Sequence, residues 1–366
     1  MKNKLRSLIT ITVIFSLFLI LLPTVAAKSR QSYLVDFLYQ NYDENRRFGN
    51  SYEDTFYALE IIDYYNLYSI PGLFGDEVKI DKTTFIDYLE TKVEEMFDDE
   101  EINLYDLFYI LSSLDILNGL ESLDSNYKFK IYKYLNQTIS PLGGFSITNS
   151  STVVNLISTY FVYNIYSLIE EPIVNQTRHI DWILSCNNTD GGYGGNKTLP
   201  STILTTFYAI HLINEFSTTL VNESATLNYL TSFFGSDSYD KVNYGGYYPT
   251  LISSNTLLSS TYYCVKVIDS IDNNELHYSI TTNWILARQN FQDGGFIDEL
   301  FALGQGISSI GASYNAFKAL QVLNALSYLN QDVFMVEFNY IVLIILLSVI
   351  GIIAIIIVFV WKKRKI

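Results

Sequence analysis

The chain has 366 residues, of which 49% are hydrophobic, 23 are basic and 38 are acidic, so its formal net charge is −15. This composition is sufficient for a sizeable buried core, and the acidic excess argues against nucleic acid or an anionic membrane surface as a partner. Seven of the basic residues lie at the two ends, which leaves 16 basic against 38 acidic residues between them.

Residues 1–27 have the pattern of a secretory signal peptide. Three basic residues precede an apolar run from Leu8 to Leu22, and Ala26 and Ala27 supply small side chains for cleavage. The alternative is an uncleaved anchor helix, which we disfavour because the apolar run is short for a bilayer span. The pattern therefore predicts that the chain is exported from residue 28 onward.

Six copies of a helical hairpin, two helices joined by a turn, fill residues 28–328. Aligning one position in the second helix of each copy gives separations of 52, 52, 47, 55 and 52 residues, which is the length that two helices and two loops need. The aligned residues are Tyr57, Tyr109, Phe161, Tyr208, Tyr263 and Asn315. Because the first helix of each copy is amphipathic and the second is apolar nearly all round, we predict an outer and an inner helix in each hairpin.

Four of the copies turn at a Gly-Gly-aromatic sequence. Glycine pairs permit positive φ angles, so the chain reverses in little space, and the aromatic side chain can fill the gap between helices. The four turns are Gly143-Gly144-Phe145, Gly191-Gly192-Tyr193, Gly245-Gly246-Tyr247 and Gly294-Gly295-Phe296. Asp190 and Asp293 are expected to be turn residues, and Asp298 is expected to cap or pack in the last loop.

Together the six hairpins predict an all-α fold, an α/α toroid or (α/α)₆ barrel, whose inner helices surround a central cavity. An open solenoid has the same local pattern. We favour closure because six units fill the domain and no polar capping repeat is visible. A linker is predicted at residues 329–339.

The carboxyl-terminal end predicts a membrane anchor. Residues 340–360 carry no charged side chain, and a stretch of this length can cross a bilayer as a helix. Residues 361–366 contain four adjacent basic side chains, a flank that stays cytoplasmic. With the signal peptide, this predicts a single-pass protein of the cell membrane, with the bulk of the chain outside the cytoplasm.

Two further features concern an exported domain. N-glycosylation sequons occur at Asn136, Asn149, Asn175, Asn187, Asn196 and Asn222. The two cysteines, Cys186 and Cys264, could form one disulfide outside the cell. Each lies in an apolar helical context, so we favour two buried free thiols.

The strings WILARQNFQDGGFID, from Trp284, and WILSCNNTDGGYGG, from Trp182, resemble the repeat of the prenyltransferase β-subunit and terpenoid cyclase superfamily, the prenyltransferase and squalene oxidase repeat. The resemblance covers residues 31–328. It implies the α/α toroid and, as activities, prenyl transfer or terpene cyclisation.

The residues for zinc-dependent prenyl transfer do not recur. The resemblance places the zinc ligands at Ser259 or Ser260, at Thr261 or Tyr262, and at Ala312. None of these side chains can replace a thiolate or an imidazole on zinc. The segment just before the fifth inner helix, PTLISSNTLLSS, contains no basic residue that could hold a diphosphate. The sequence therefore predicts neither a metal site nor a cofactor.

Other chemistry is equally poorly supported. The Asp-x-Asp-Asp acid of the cyclases, the Cys-Gly-Glu-Gln thioester and Gly-x-Ser-x-Gly are absent from the sequence. The acidic run from Asp98 to Glu101 could chelate Mg²⁺, although a solvated loop is the simpler interpretation. His211 in an inner helix could be a base or ligand, although a core histidine is simpler. His179 and His277 are predicted on outer surfaces. No catalytic residue is identified.

Aromatic side chains on the inner helices are the remaining candidates for a site. The cavity-lining candidates are Tyr57, Tyr109, Tyr160, Tyr208, His211, Tyr263 and Tyr314. Aromatic walls bind isoprenoid chains, carbocations or sugars. Plain core packing is the alternative.

Three functions stay open. We favour a membrane-anchored, exported, prenyltransferase-like toroid that binds a hydrophobic, isoprenoid-like or lipid-like ligand without zinc-dependent prenyl transfer. An enzyme of the prenyltransferase, cyclase or carbohydrate-active (α/α)₆ type is the second hypothesis, and the last of these needs two carboxylates across a cleft. A cell-surface interaction scaffold with a filled cavity is the third.

Overall fold

A computed structural model describes residues 25–72, 75–298 and 306–336. Within these ranges no helix combines the length and apolar character needed to cross a membrane. The predicted span at residues 340–360 and the basic tail after it lie outside the described residues, as does the part of the predicted signal peptide before Val25.

The chain divides into two compact units. One is Arg30–Asn330, and the other consists of Met1–Ser29 and Gln331–Ile366. In the second unit, strand β1 (Val25–Ser29) pairs antiparallel with strand β6 (Asp332–Val336), so that Ser29 lies opposite Asp332. Strand β1 thus includes the last residues assigned to the signal peptide, and β6 lies in the segment predicted as a linker.

Twelve helices, α1 to α12, alternate between an outer and an inner layer in the described part of the first unit. The outer helices are α1 Arg30–Gln40, α3 Lys82–Asp98, α5 Ser125–Gln137, α7 Gln176–Leu184, α9 Glu223–Thr231 and α11 Tyr278–Leu286. The inner helices are α2 Tyr52–Tyr64, α4 Leu104–Ile116, α6 Leu156–Leu168, α8 Ile203–Glu215, α10 Leu258–Ile271 and α12 Ile310–Val322. The six predicted hairpins are confirmed.

Short strand pairs and single-turn helices connect these elements. The strand pairs are β2 Ser69–Gly72 with β3 Gly75–Val78, and β4 Phe296–Ile297 with β5 Ser308–Ser309. The 3-10 helices are Asn273–Glu275 and Leu326–Asn330.

Polar side chains cap the starts of most helices, and asparagines mark where several inner helices end. Eight helices start after a polar residue whose side-chain oxygen accepts a backbone N–H of the first turn. These residues are Ser51, Asp81, Asn103, Asp124, Asn155, Thr202, Asn222 and Ser309. Inner helices α2, α4 and α12 end before an asparagine with a positive φ, which stops a helix at low cost.

The layers differ in burial as the sequence predicts. In inner helix α4 every residue from Leu107 to Leu114 is buried, whereas outer helix α3 buries only Phe85, Leu89 and Val93. An all-round apolar helix therefore lies inside and an amphipathic one outside.

The toroid is closed. Each inner helix packs against the next one along the chain, and the last, α12, packs against the first, α2. This contact distinguishes the predicted toroid from an open solenoid, and closure is therefore confirmed.

The Gly-Gly turns form the seams between hairpins. The first glycine of each pair has a φ between 89° and 105° and lies against the backbone of the following outer helix. The facing residues are Arg178 for Gly143, Ala225 for Gly191, Ile280 for Gly245 and Tyr33 for Gly294. A Cβ atom on these glycines would lie 2.0–2.9 Å from the facing backbone, so a larger residue would force the turn away from the neighbouring helix. The last seam joins the sixth hairpin to α1.

A hydroxyl group secures the aromatic residue of every such turn. The backbone N–H of the buried aromatic residue donates to a Ser or Thr hydroxyl in the first turn of the inner helix that follows. The pairs are Phe48–Thr55, Phe145–Thr159, Tyr193–Thr206, Tyr247–Thr261 and Phe296–Ser313, with N–O distances of 2.9–3.2 Å. The first hairpin follows this pattern although it lacks the Gly-Gly pair.

Candidate functional site

An aromatic girdle lines the middle of the toroid and takes at least one ring from every inner helix. Its members are Phe56, Phe108, Phe161, Phe207, Tyr208, Tyr262 and Tyr314. Going round the toroid, centroid distances between neighbouring helices are 6.2, 4.9, 6.0, 5.7, 6.2 and 6.1 Å. The circuit returns to Phe56 on the first inner helix. Such edge and tilted contacts are favourable for aromatic pairs.

The six predicted tyrosines lie on and beside this girdle. Tyr57 stacks on Tyr314 at 3.9 Å, and Tyr160 stacks on Tyr208 at 4.2 Å. Tyr263 packs on the girdle residue Phe207 at 4.8 Å. Four of the tyrosines keep part of their surface accessible, which are Tyr57, Tyr160, Tyr208 and Tyr263. Of the six predicted tyrosines, these four retain surface that a ligand could contact.

Glu53 is the hydrogen-bond acceptor at the end of the toroid where the inner helices begin. Its Oε1 accepts hydroxyl groups from Tyr57 and Tyr109, both at 2.7 Å. Burial above all, and the Glu53 charge in addition, raises the pKa of both tyrosines. Both hydroxyls therefore stay protonated and act as donors. Sequence reasoning missed Glu53 because it is one of several polar residues at the start of α2, and nothing in the pattern distinguishes it from the others.

A second carboxylate lies at the same end. Asp298 accepts the backbone N–H of Ser259 at 3.1 Å, which confirms its predicted capping role, here at the start of α10. Both carboxylates affect the pKa of Tyr263. Burial first, and then the charges of Glu53 and Asp298, raises the pKa of Tyr263 to about 12.

The opposite end of the inner helices carries charges of both signs. Lys318 pairs with Glu60 at 3.1 Å. His211 packs edge-on against Tyr160 at 5.0 Å, and burial lowers the pKa of its imidazole although Glu215 opposes the shift. His211 is therefore neutral at physiological pH. Glu53 and Glu60 are seven residues apart on one helix, roughly 10 Å along its axis, and do not face each other across a cleft.

The positions that the superfamily resemblance assigns to zinc hold other interactions. Ser259 bonds to Asp298, and the Thr261 hydroxyl donates to Leu257 and accepts from Tyr247. Tyr262 belongs to the girdle, and Ala312 is buried in α12. The described residues contain no group of three His, Cys, Asp or Glu side chains that could hold a metal ion.

Arg288 is a buried cation that the sequence did not single out. It is 2% exposed, stacks over Trp284 at 3.5 Å, and donates to the Val242 carbonyl and the Thr256 hydroxyl. The segment before the fifth inner helix lacks a basic residue of its own, yet Arg288 reaches it from the end of α11. Burial lowers the pKa of Arg288, and the Asp298 charge counteracts this.

His179 corrects a prediction. It was expected on an outer surface, but it is 1% exposed because it fills the gap beneath a Gly-Gly turn. Its Nδ1 accepts the Gly144 N–H at 2.9 Å, and its ring stacks on Phe145 at 4.3 Å. His277, in contrast, is exposed as expected.

The turn carboxylates and the acidic run have structural partners. Asp190 accepts the Gly192 N–H, and Asp293 accepts the Gly295 N–H, so both are turn residues as predicted. Asp98 is the last residue of α3 and pairs with Lys130 at 2.7 Å on the surface. Asp99, Glu100 and Glu101 follow it as exposed residues outside any helix, which agrees with the solvated-loop interpretation of the acidic run.

Both cysteines are buried free thiols, as favoured from the sequence. The six sequons lie in different settings. Asn149, Asn175 and Asn222 are exposed, whereas the side-chain amides of Asn136 and Asn187 donate to backbone carbonyls.

Comparison with known proteins agrees with this architecture. The family model of the prenyltransferase alpha-alpha toroid domain matches residues 78–178 and 167–338, which is more than half of the chain. No curated protein matches the chain.

Two solved structures share the fold. The chain is similar to a Candida albicans protein geranylgeranyltransferase-I complexed with GGPP, with 16% identity, a TM-score of 0.55, and coverage of 86% of this chain and 88% of that one. It is also similar to a protein from Actinoplanes, with 12% identity, a TM-score of 0.52, and coverage of 81% and 98%. At these identities, the similarity shows the fold alone.

Proposed function

Because this chain belongs to the prenyltransferase alpha-alpha toroid family, we propose that it binds a hydrophobic, isoprenoid-like or lipid-like ligand in its centre without zinc-dependent prenyl transfer. The observation that carries the proposal is the closed aromatic girdle with four partly accessible tyrosine faces on and beside it. Aromatic faces bind long apolar chains with little demand on their polar groups.

The ligand's polar end follows from the charges around the girdle. Glu53 and Asp298 lie at one end of the inner helices, and Lys318 at the other is already paired with Glu60. A diphosphate such as that of the GGPP in the Candida structure would meet carboxylates at the first end. An apolar chain with a neutral head, such as an isoprenoid alcohol, fits these charges better.

The binding experiment uses the purified full chain in detergent and geranylgeraniol as the probe. Displacement of an environment-sensitive fluorescent fatty acid would report saturable binding. Tyr208→Ala removes the stacked pair with Tyr160 and should weaken binding about tenfold, since one buried aromatic contact contributes roughly 1–3 kcal/mol. Tyr239→Ala is the matched control because that tyrosine is 92% exposed.

The result decides the proposal. Absence of saturable binding, or an equal loss in the two variants while both remain folded by circular dichroism, would contradict a ligand site at the girdle. A scaffold with a filled centre would then be the better account.

The absence of zinc chemistry has its own measurement. The ligand positions carry Ser259 or Ser260, Thr261 or Tyr262, and Ala312, and none of these side chains supplies a thiolate or an imidazole. Elemental analysis of the purified chain should give no stoichiometric zinc. One zinc per chain that is lost in Cys264→Ala or His211→Ala would overturn this part.

The location outside the cytoplasm is also part of the proposal. The predicted span at residues 340–360 and the basic tail support it, because four adjacent cations resist translocation. Protease added to intact cells should remove the toroid and leave a small membrane-embedded fragment. A toroid that is protected until the membrane is broken would show that the orientation is reversed.

A further inference from the structure

A pocket of about 460 Å³ lies on the outer side of the toroid, between the loop that joins α1 to α2 and the outer helix α3. It is separate from the girdle, and the proposed ligand site does not use it. Three of its lining side chains are cations, Arg46, Arg47 and Lys92, whereas Glu44 is the one carboxylate among the described lining residues. This excess of positive charge stands out in a chain with a net charge of −15.

The loop holds its two arginines in a fixed conformation. Asp43 accepts the backbone N–H of Arg47 at 3.0 Å, and its carbonyl accepts the N–H of Arg46 at 3.2 Å. Arg46 has a φ of 59°, an uncommon conformation for a residue with a side chain. The turn carboxylate is thus used to shape the loop, and the two guanidinium groups remain at the pocket.

Arg47 is only partly satisfied. Its Nε is buried and has no hydrogen-bond partner among the described residues. Its guanidinium lies 5.9 Å from the ring of Tyr52, a lining residue. A buried donor without a partner is costly, and an acceptor that enters the pocket would relieve that cost.

The other cations have moderate engagements. Arg46 donates to the Thr84 carbonyl at 3.1 Å, which leaves further guanidinium donors unused. Lys92 pairs with Glu95 at 2.6 Å and lies 5.6 Å from the Tyr88 ring. Neither arginine forms a salt bridge within the described part of the chain.

We propose that this pocket binds the oxyanion group of a small ligand, a phosphate or a sulfate. Guanidinium groups match tetrahedral oxyanions with paired N–H donors, and Lys92 adds a point charge. The volume exceeds that of the bare ion, and Tyr52 and Tyr88 supply walls for an attached organic group. The shared chemistry is a phosphate or sulfate, whether free or part of a small ester.

The test is calorimetric titration of the full chain with inorganic phosphate, inorganic sulfate and glycerol 3-phosphate at constant ionic strength. We expect saturable binding that Arg47→Gln weakens about tenfold or more, since a charge-assisted bond is lost. Arg178→Gln is the matched control because that arginine is exposed on α7, away from the pocket lining. The Arg178→Gln variant should bind each anion with the same affinity as the unchanged chain.

Two variants guard against a folding artefact. Lys92→Gln changes a partly exposed side chain and should also weaken binding, and Arg47→Lys should retain part of the affinity. Tighter binding of glycerol 3-phosphate than of phosphate assigns the site to an organic ester, and equal binding assigns it to the free ion. No saturable binding of any oxyanion, or equal weakening by Arg47→Gln and Arg178→Gln, overturns the proposal.

Discussion

Replacing Thr261 by Val isolates one of the five hydroxyl contacts that hold the turn aromatics. The Thr261 hydroxyl accepts the Tyr247 N–H at 3.0 Å and donates to the Leu257 carbonyl at 2.7 Å. Both Thr261 and Tyr247 are fully buried, at 0% and 1% exposure. Valine has nearly the same shape, so the substitution removes the hydrogen bonds and leaves the packing in place.

The expected loss of unfolding free energy follows from these contacts. An unpaired buried N–H costs about 1–3 kcal/mol. The methyl group that replaces the hydroxyl regains up to about 0.8 kcal/mol. The Leu257 carbonyl keeps its helical bond from the Thr261 N–H. Taking the full methyl gain from the cost of the unpaired N–H leaves a net destabilisation of about 0.2–2.2 kcal/mol, with a midpoint near 1.2 kcal/mol.

Two measurements check this magnitude. Urea unfolding of the full chain, followed by circular dichroism, should show a lower midpoint for Thr261→Val. Hydrogen exchange read by mass spectrometry should be about tenfold faster in peptides that contain Tyr247, since about 1.4 kcal/mol corresponds to a factor of ten. Thr219→Val is the control, because Thr219 is exposed and its change should stay within about 0.5 kcal/mol.

The reasoning would be refuted by one pattern of results. If Thr261→Val and Thr219→Val had the same midpoint, and if exchange near Tyr247 were unchanged, the hydroxyl would not be the partner that holds the turn. The repeated contact would then be a geometric coincidence of the inner-helix starts.

Further outcomes are expected. Gly294→Ala should lower the free energy of unfolding by more than about 3 kcal/mol or prevent folding, because φ is 93° and the new Cβ would lie 2.0 Å from the Tyr33 backbone. Gly311→Ala in α12 is the control and should leave stability unchanged or raise it. Thermal melts of the two variants would show the difference. Burial lowers the pKa of His179 below its ordinary 6.5, so the unfolded chain takes up the proton more readily than the folded chain. Stability should therefore fall as the pH drops through about 6.5. Urea titrations at pH 7 and pH 5 should show that His179→Asn loses this part of the pH dependence. Burial raises the pKa of the Cys186 thiol to about 12 and that of Cys264 well above its usual value, so iodoacetamide should label neither thiol in the native chain and both in urea, and labelling of the native chain would contradict their burial.

Much of the fold could be predicted because it repeats. The near-constant spacing of the copies and the contrast between amphipathic and apolar helices specify six hairpins, and Gly-Gly pairs mark four turns. The hydroxyl contacts were not predicted, although Thr159, Thr206 and Thr261 stand near the start of an apolar helix in successive copies. Threonine is common in this sequence, and only the structure shows which threonine faces the preceding turn.

The candidate site was less predictable than the fold. Tyrosines on inner helices could be expected near the centre, since the helical period decides which face is inward. Which of them keep accessible surface depends on packing between helices that are distant in sequence. Arg288 and His179 illustrate this limit: a basic or polar residue in or after an amphipathic run is expected on the surface, yet both fill gaps beneath neighbouring loops.

The seam at Gly294 has a consequence for chain connectivity. The sixth hairpin meets α1 at Tyr33 through the same contact that joins hairpins along the chain, although no loop connects these two. The helix α1 also packs against the 3-10 helix Leu326–Asn330, so the two ends of the toroid are neighbours. The closed toroid therefore depends on which hairpins are neighbours in space, and less on the order in which the chain connects them. We expect a circularly permuted chain with new ends between α8 and α9 to form the same closed toroid.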